Sequence, residues 1–195
     1  AGEVVLVKEG KAASRIVVKR DAPLPVSFGA KELSDYLEKI SGGKLEIASE
    51  PAGGLHNVYI GTLADKELVN AAGIKPEQLK EDGFALSTTG DNTLYIIGQN
   101  PRGALYGAYE ILKKYGGVRW LVPGPDGEYY SRRKTIAVPE QKSIHNPYLK
   151  IRDVAYYIEI NLLRWMARNN MMPSWGKNAF INPKTGERTP QADLL

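Results

Sequence analysis

The chain has no cysteine among its 195 residues. That excludes disulfides, thiolate metal sites and a cysteine nucleophile, and leaves the compartment open. No apolar run approaches the ~20 residues of a membrane span. The first residues, "AGEVVLVKEG", have neither a basic n-region nor an apolar h-region and read as a strand, so no leader is expected within the chain. Charge of one sign is also scarce. The formal net charge is +4, and the densest basic cluster, Arg132-Arg133-Lys134, has no aromatic interleaving. A solvated loop fits that cluster better than a nucleic-acid patch. Histidine occurs twice, at His56 and His145, far apart and in loop-like contexts. No H-E-x-x-H is present, and no histidine lies near a serine elbow. Zinc proteolysis and Ser-His-Asp hydrolysis therefore have no local support, and no cofactor or metal is expected.

What is present is the patterning of an ordinary globular domain, with 43% hydrophobic and 25% charged residues. "EVVLV" (3–7) and "RIVVK" (15–19) are β-branched runs around a short turn, which predicts a hairpin. Phe28, Ala30, Leu33, Tyr36, Leu37 and Ile40 have helical spacing, closed by Gly42-Gly43. Strands are expected in "KLEIAS" (44–49) and "NVYIGT" (57–62), and a short helix over 63–73. "GFALSTTG" and "NTLYIIG" flank Gly90-Asp91-Asn92, a second hairpin signal. Strands in "VRWLV" and "KTIAV" follow, then a polar linker, "PEQKSIHNP" (139–147). This order predicts an α+β (mixed α/β) domain: a mixed, largely antiparallel sheet with two main helices packed on one face.

The helix opened by "NPRGALYG" invites a phosphate-site reading, because helix N-termini bind anions. Neither G-x-G-x-x-G nor G-x-x-x-x-G-K-[ST] occurs, however. Gly103 and Gly107 lie four apart on one face, which suits close packing on a strand. A structural ion pair for Arg102 fits better than a bound anion. Glu38 and Glu81-Asp82 sit in solvated-looking positions and are not expected to act catalytically.

Several motifs carry a resemblance. Ala30, Glu32, Leu33, Tyr36 and Leu37 fit A-x-E-L-x-x-Y-L. Arg102, Gly103, Tyr106 and Gly107 fit R-G-x-x-Y-G, and Gly117, Arg119 and Trp120 fit G-x-R-W before Pro123-Gly124. In this order, over 28–139, the chain resembles the accessory domain that precedes the catalytic barrel in bacterial β-N-acetylhexosaminidases and α-glucuronidases. The resemblance implies a hexosaminidase domain-2-like fold that is a structural partner to the barrel, with the chemistry elsewhere. It implies an accessory domain over 1–140, a linker over 141–147 and the first βα unit of a TIM barrel over 148–195. "PYLKIRD" resembles the first barrel strand, where an arginine contacts sugar hydroxyls; that position here is Arg152. On the residues alone, a salt bridge of Arg152 with Asp153 or another acid fits slightly better. The helix Ile158 to Asn169 is apolar on more than one face and expects neighbours on more than one.

A complete barrel takes roughly 250 residues, so residues 148–195 offer only its start, and catalytic carboxylates are expected outside the chain. The implied partners are a glycan substrate in the full-length protein and the catalytic barrel, with no nucleic acid and no membrane span. The implied setting is extracellular or periplasmic, in a bacterium. A second reading is a stand-alone carbohydrate-binding module stacking sugars on Tyr129-Tyr130, Trp120 or Trp175; a third is a structural domain without a ligand.

Overall fold

The computed structural model describes residues 2–153 and 160–171. Strand β1 (Val4–Lys8) turns into β2 (Lys11–Ala12), and β3 (Ser14–Val17) then enters a different sheet. The order continues with α1 (Leu24–Ser41), β4 (Ile47–Ala48), β5 (His56–Thr62) and α2 (Lys66–Ala71). Strands β6 (Phe84–Thr89) and β7 (Thr93–Gly98) follow, then α3 (Pro101–Ile111), which runs on as a π-helical turn to Gly116. Short strands β8 (Arg119–Trp120), β9 (Glu128–Tyr129), β10 (Ile136–Val138) and β11 (Lys142–His145) precede α4 (Ile160–Arg168).

The main sheet has the order β11-β6-β7-β5-β3-β4. Its β11–β6 and β6–β7 ladders are antiparallel, and its β7–β5, β5–β3 and β3–β4 ladders are parallel. The expected antiparallel bias therefore resides in one half of this sheet and in the small β10-β1-β2 and β8-β9 sheets. The first hairpin is shorter than the sequence suggests. On its hairpin side β1 pairs with just Lys11 and Ala12, its other edge being taken by β10, and the β-branched run from Ser14 is a parallel partner of β5. A short β-branched run suits a hairpin partner and a parallel one alike, so composition does not choose between them.

Alternation along β5, β6 and β7 divides the core in two. Val58, Ile60, Phe84, Leu86, Leu94 and Ile96 face Leu33, Leu37 and Ile40 of α1 and Leu105 and Tyr109 of α3. Ala85, Tyr95 and Ile97 face the other way, against Val69 of α2 and Ile74 and Leu79 after it. The two main helices thus share one face, as expected. Helix α1 starts a turn earlier than its apolar stripe, because Pro25 falls at the helix start, where a missing N–H costs nothing. It ends at Gly42, whose φ of +88° suits the left-handed cap that closes on Glu38 O at 2.8 Å.

The stretch 139–147, expected to be a linker, holds β11 instead: Lys142 to His145 pair with Ser87 to Phe84 at the edge of the main sheet. His145 and His56 accordingly lie in strands, not loops. Its two prolines and polar residues read as a linker because an edge strand buries only part of each side chain. No helix among the described residues is long and apolar enough to cross a membrane.

Candidate functional site: two arginine anchorages

Helix α3 lies against the turn before β6. A Cβ added at Gly103 would sit 2.3 Å from Gly83 O, so the helix start and the 82–83 turn touch backbone to backbone. Gly107, one turn on, faces Ile96 and Phe84, where an added Cβ would come within 2.5 Å of Ile96 Cγ2. The close-packing reading of both glycines holds. Asn100 caps the helix, its Oδ1 accepting from Gly103 N at 2.8 Å.

This contact encloses Asp82, which the sequence places in solvent. The residue is 3% exposed and takes a left-handed φ of +60°. Its Oδ1 accepts from Asn100 Nδ2 at 2.9 Å and from Arg102 Nε at 2.8 Å, and its Oδ2 accepts from Arg152 Nη2 at 2.8 Å. Burial alone would raise its pKa. The hydrogen bonds from Asn100, Arg102 and Arg152 and the charge of Arg102 outweigh that and hold it below the usual carboxylate range. The ion pair expected for Arg102 is present.

Arg152 therefore has its acid partner within the chain, and that partner is Asp82. Its Nε also donates to Asn170 O at 2.8 Å and its Nη1 to Leu149 O at 2.7 Å. It thereby ties three segments together: the 82–83 turn, the stretch after β11 and the end of α4. Tyr106 adds a fourth tie, its hydroxyl donating to Met171 O at 3.0 Å. Burial pushes that phenol up to about 12. An open cleft beside Arg152 is lined by Tyr106, Glu110, His145 and Asn169. Of the expected barrel strand, the described residues of "PYLKIRD" (147–153) hold a single bridge residue, Arg152, and Tyr148, Leu149 and Ile151 are 99%, 59% and 70% exposed.

A second arginine is seated at the far end of α4. Glu32 and Tyr36 share a face of α1, four residues apart, and the β8–β9 ladder sets Trp120 opposite Glu128. Arg168 enters between them. Its Nε and Nη2 donate to the two oxygens of Glu32 at 3.0 and 3.4 Å, and its Nη1 reaches Glu128 at 3.4 Å. The guanidinium lies 5.3 Å from the Tyr36 ring centre and 5.4 Å from that of Trp120. Burial disfavours its charge, but Glu32 outweighs that and raises the Arg168 pKa. Trp165 and Asn169 complete the contact by donating to Trp120 O at 2.9 and 3.2 Å.

Trp120 is 4% exposed, with its Nε1 donating to Tyr36 OH at 2.9 Å, so it is a wall of this socket and not a sugar platform. Tyr129 is exposed and Tyr130 packs partly on the core; Trp175 and the chain beyond 171 lie outside the described residues. Arg119 closes the π-helical turn by donating to Lys113 O at 2.7 Å. The Arg132–Lys134 cluster is exposed, as expected.

Residues 4–111 match the family described as the glycosyl hydrolase family 67 N-terminus. The chain belongs to that family. A probable alpha-glucuronidase A of Aspergillus fumigatus is 39% identical over 88 residues, 45% of this chain and 10% of its own length. An alpha-glucuronidase of Hypocrea jecorina is 39% identical over 99 residues, 47% of this chain and 11% of its own. The chain thus spans about a tenth of the length of these curated relatives. Among solved structures, a family GH115 4-O-methyl-alpha-glucuronidase with specificity for decorated arabinogalactans superimposes with a TM-score of 0.64. That match covers 86% of this chain and 25% of the other at 16% identity, a likeness of fold.

Within this family 67 N-terminal, glycoside hydrolase accessory fold, the quoted motifs acquire physical roles. Glu32, Tyr36 and Trp120 hold Arg168; Arg102, Gly103 and Tyr106 form the corner that holds Arg152. Glu128, Arg168 and the burial of Asp82 were missed. The available signals were an arginine ending an apolar helix and an aspartate before a glycine at a turn.

Proposed function

We propose that the whole protein is a glycoside hydrolase acting on a glucuronide-type or hexosaminide glycan, and that this chain is its non-catalytic accessory domain joined to the first βα unit of a (β/α)8 barrel. The observation that carries this reading is the pair of arginine anchorages. The domain spends its motif residues on holding the segment after β11, which leaves them unavailable for sugar. Exposed Leu149 and Ile151, alternating with Arg152, suit a strand whose neighbours come from further chain. On this reading the accessory domain takes in β11, which pairs with β6 at the sheet edge, and the barrel portion begins near 148. An extracellular or periplasmic bacterial setting completes the reading, because polymeric glycans are met outside the cell.

The purified chain should release no product from aryl-glucuronides or aryl-hexosaminides. Turnover that disappears on a point mutation within the chain would overturn the reading, and saturable binding of glycan by the chain alone would favour a carbohydrate-binding module. In a second reading Arg152 also touches substrate, supported by its resemblance to the first barrel strand and by the cleft at its side. In the whole enzyme, Arg152→Lys would then lower kcat/KM tenfold or more, about 1.4 kcal/mol, with the melting temperature unchanged.

A further inference from the structure

We propose that Glu32, Tyr36, Trp120 and Glu128 form a ready-made receptor for one guanidinium group, and that Arg168 is the key by which α4 docks into it. The proposal deepens the accessory-domain reading by naming the chemistry of the docking partner. Three features carry it.

The first is that the walls are held without Arg168. Tyr109 OH donates to Glu32 Oε2 at 3.1 Å, Tyr36 OH donates to Glu128, and Trp120 Nε1 donates to Tyr36 OH at 2.9 Å. Each of these bonds lies within the accessory domain, so the pocket keeps its shape when α4 leaves.

The second is charge. Glu32 and Glu128 are both ion-paired with the one guanidinium, and Lys39 pairs with Glu128 at 3.1 Å. One further cation neutralises the cluster, and the Arg168 side chain that supplies it is only 10% exposed.

The third is shape. The contact to Glu32 uses two nitrogens on two oxygens, a third nitrogen reaches Glu128, and the flat cation lies against two rings. A planar fork satisfies all of these at once, and an ammonium does not. Lys39 already occupies the lysine-type position, over the Tyr36 ring at 4.6 Å.

The test is chemical rescue in the whole 195-residue chain. Arg168→Ala should lower the melting temperature, and low-millimolar ethylguanidinium should restore at least half of the loss in a saturable manner. Ethylammonium or sodium chloride at the same concentration should restore none, and the Arg168→Ala, Glu32→Gln double variant should not respond. Equal rescue by ethylammonium or salt, or no saturable rescue at all, overturns the proposal. If Arg168→Ala does not fold, Arg168→Lys and Arg168→Gln decide. Equal loss of melting temperature in both supports a guanidinium-specific socket, and a wild-type value for the lysine variant overturns it. None of these readouts depends on hydrolysis, so a failure here is separate from the finding of activity that would sink the accessory-domain reading.

Discussion

The two anchorages solve the same task with opposite sharing. At the Asp82 corner one buried carboxylate serves two arginines and an asparagine. At the Glu32–Glu128 socket one arginine serves two carboxylates. The difference determines which residue in each cluster is hard to lose. Without Arg152, Asp82 still has Arg102 and Asn100, and the corner survives. Without Arg168, Glu32 keeps the Tyr109 hydroxyl and Glu128 keeps the Tyr36 hydroxyl and Lys39, but the pair loses the one cation that serves both. The first corner belongs chiefly to the accessory domain, and the second depends on the arriving helix.

Asp82→Ala should have the largest effect, because it removes the carboxylate that both arginines share. Breaking a buried pair costs about 3–5 kcal/mol, to be read from chemical denaturation. Asp82→Asn keeps a residue tolerant of the left-handed backbone and isolates the charge. The same carboxylate sets an acid limit. Its folded pKa lies below the unfolded value of about 3.9. Its stabilisation is therefore present above that unfolded value and lost as pH falls through the folded one. Asp82→Asn should remove that limb from the pH–stability curve, and an unaltered curve would assign acid sensitivity to other groups.

Arg168→Ala comes next, at about 3 kcal/mol, near the low end for a broken buried pair because Lys39 and two hydroxyls still serve the carboxylates. Gly107→Val tests the helix that lies between the two sites. The added atoms meet Ile96 and Phe84, and overpacking costs about 1–3 kcal/mol. An unchanged melting temperature would refute the packing role of that face. Arg152→Ala should cost least in the chain alone, about 1 kcal/mol, the net worth of hydrogen bonds whose main acceptor keeps other donors. A loss as large as that of Asp82→Ala would erase the distinction between the two anchorages.

The elements carried by local periodicity were legible in the sequence. The stripe of α1, the β6–β7 hairpin and the paired glycines of α3 each state their role within a dozen residues. What distant partners decide was not legible. The β-branched run after Ser14 follows a turn as a hairpin strand would, yet its partner is β5. Lys142 to His145 look like linker until β6 is beside them. Asp82 looks solvated because its ligands come from Asn100, Arg102 and Arg152, up to 70 residues away. Glu128 finds Tyr36 across 92 positions, and Arg168 finds Glu32 across 136. A lone charge carries no periodic signal, so such pairs emerge only from the fold. The resemblance carried more than the pattern did, since Glu32, Tyr36, Arg102, Tyr106 and Trp120 are its motif residues; it named them without saying what they hold.

Amide hydrogen exchange over residues 160–171 tests the docking account most directly. In the wild-type chain these amides should be protected. In Arg168→Ala they should lose most of that protection while β5, β7 and α3 keep theirs, and in Arg152→Ala they should lose less. Protection of 160–171 that is the same in wild type and Arg168→Ala would contradict the account.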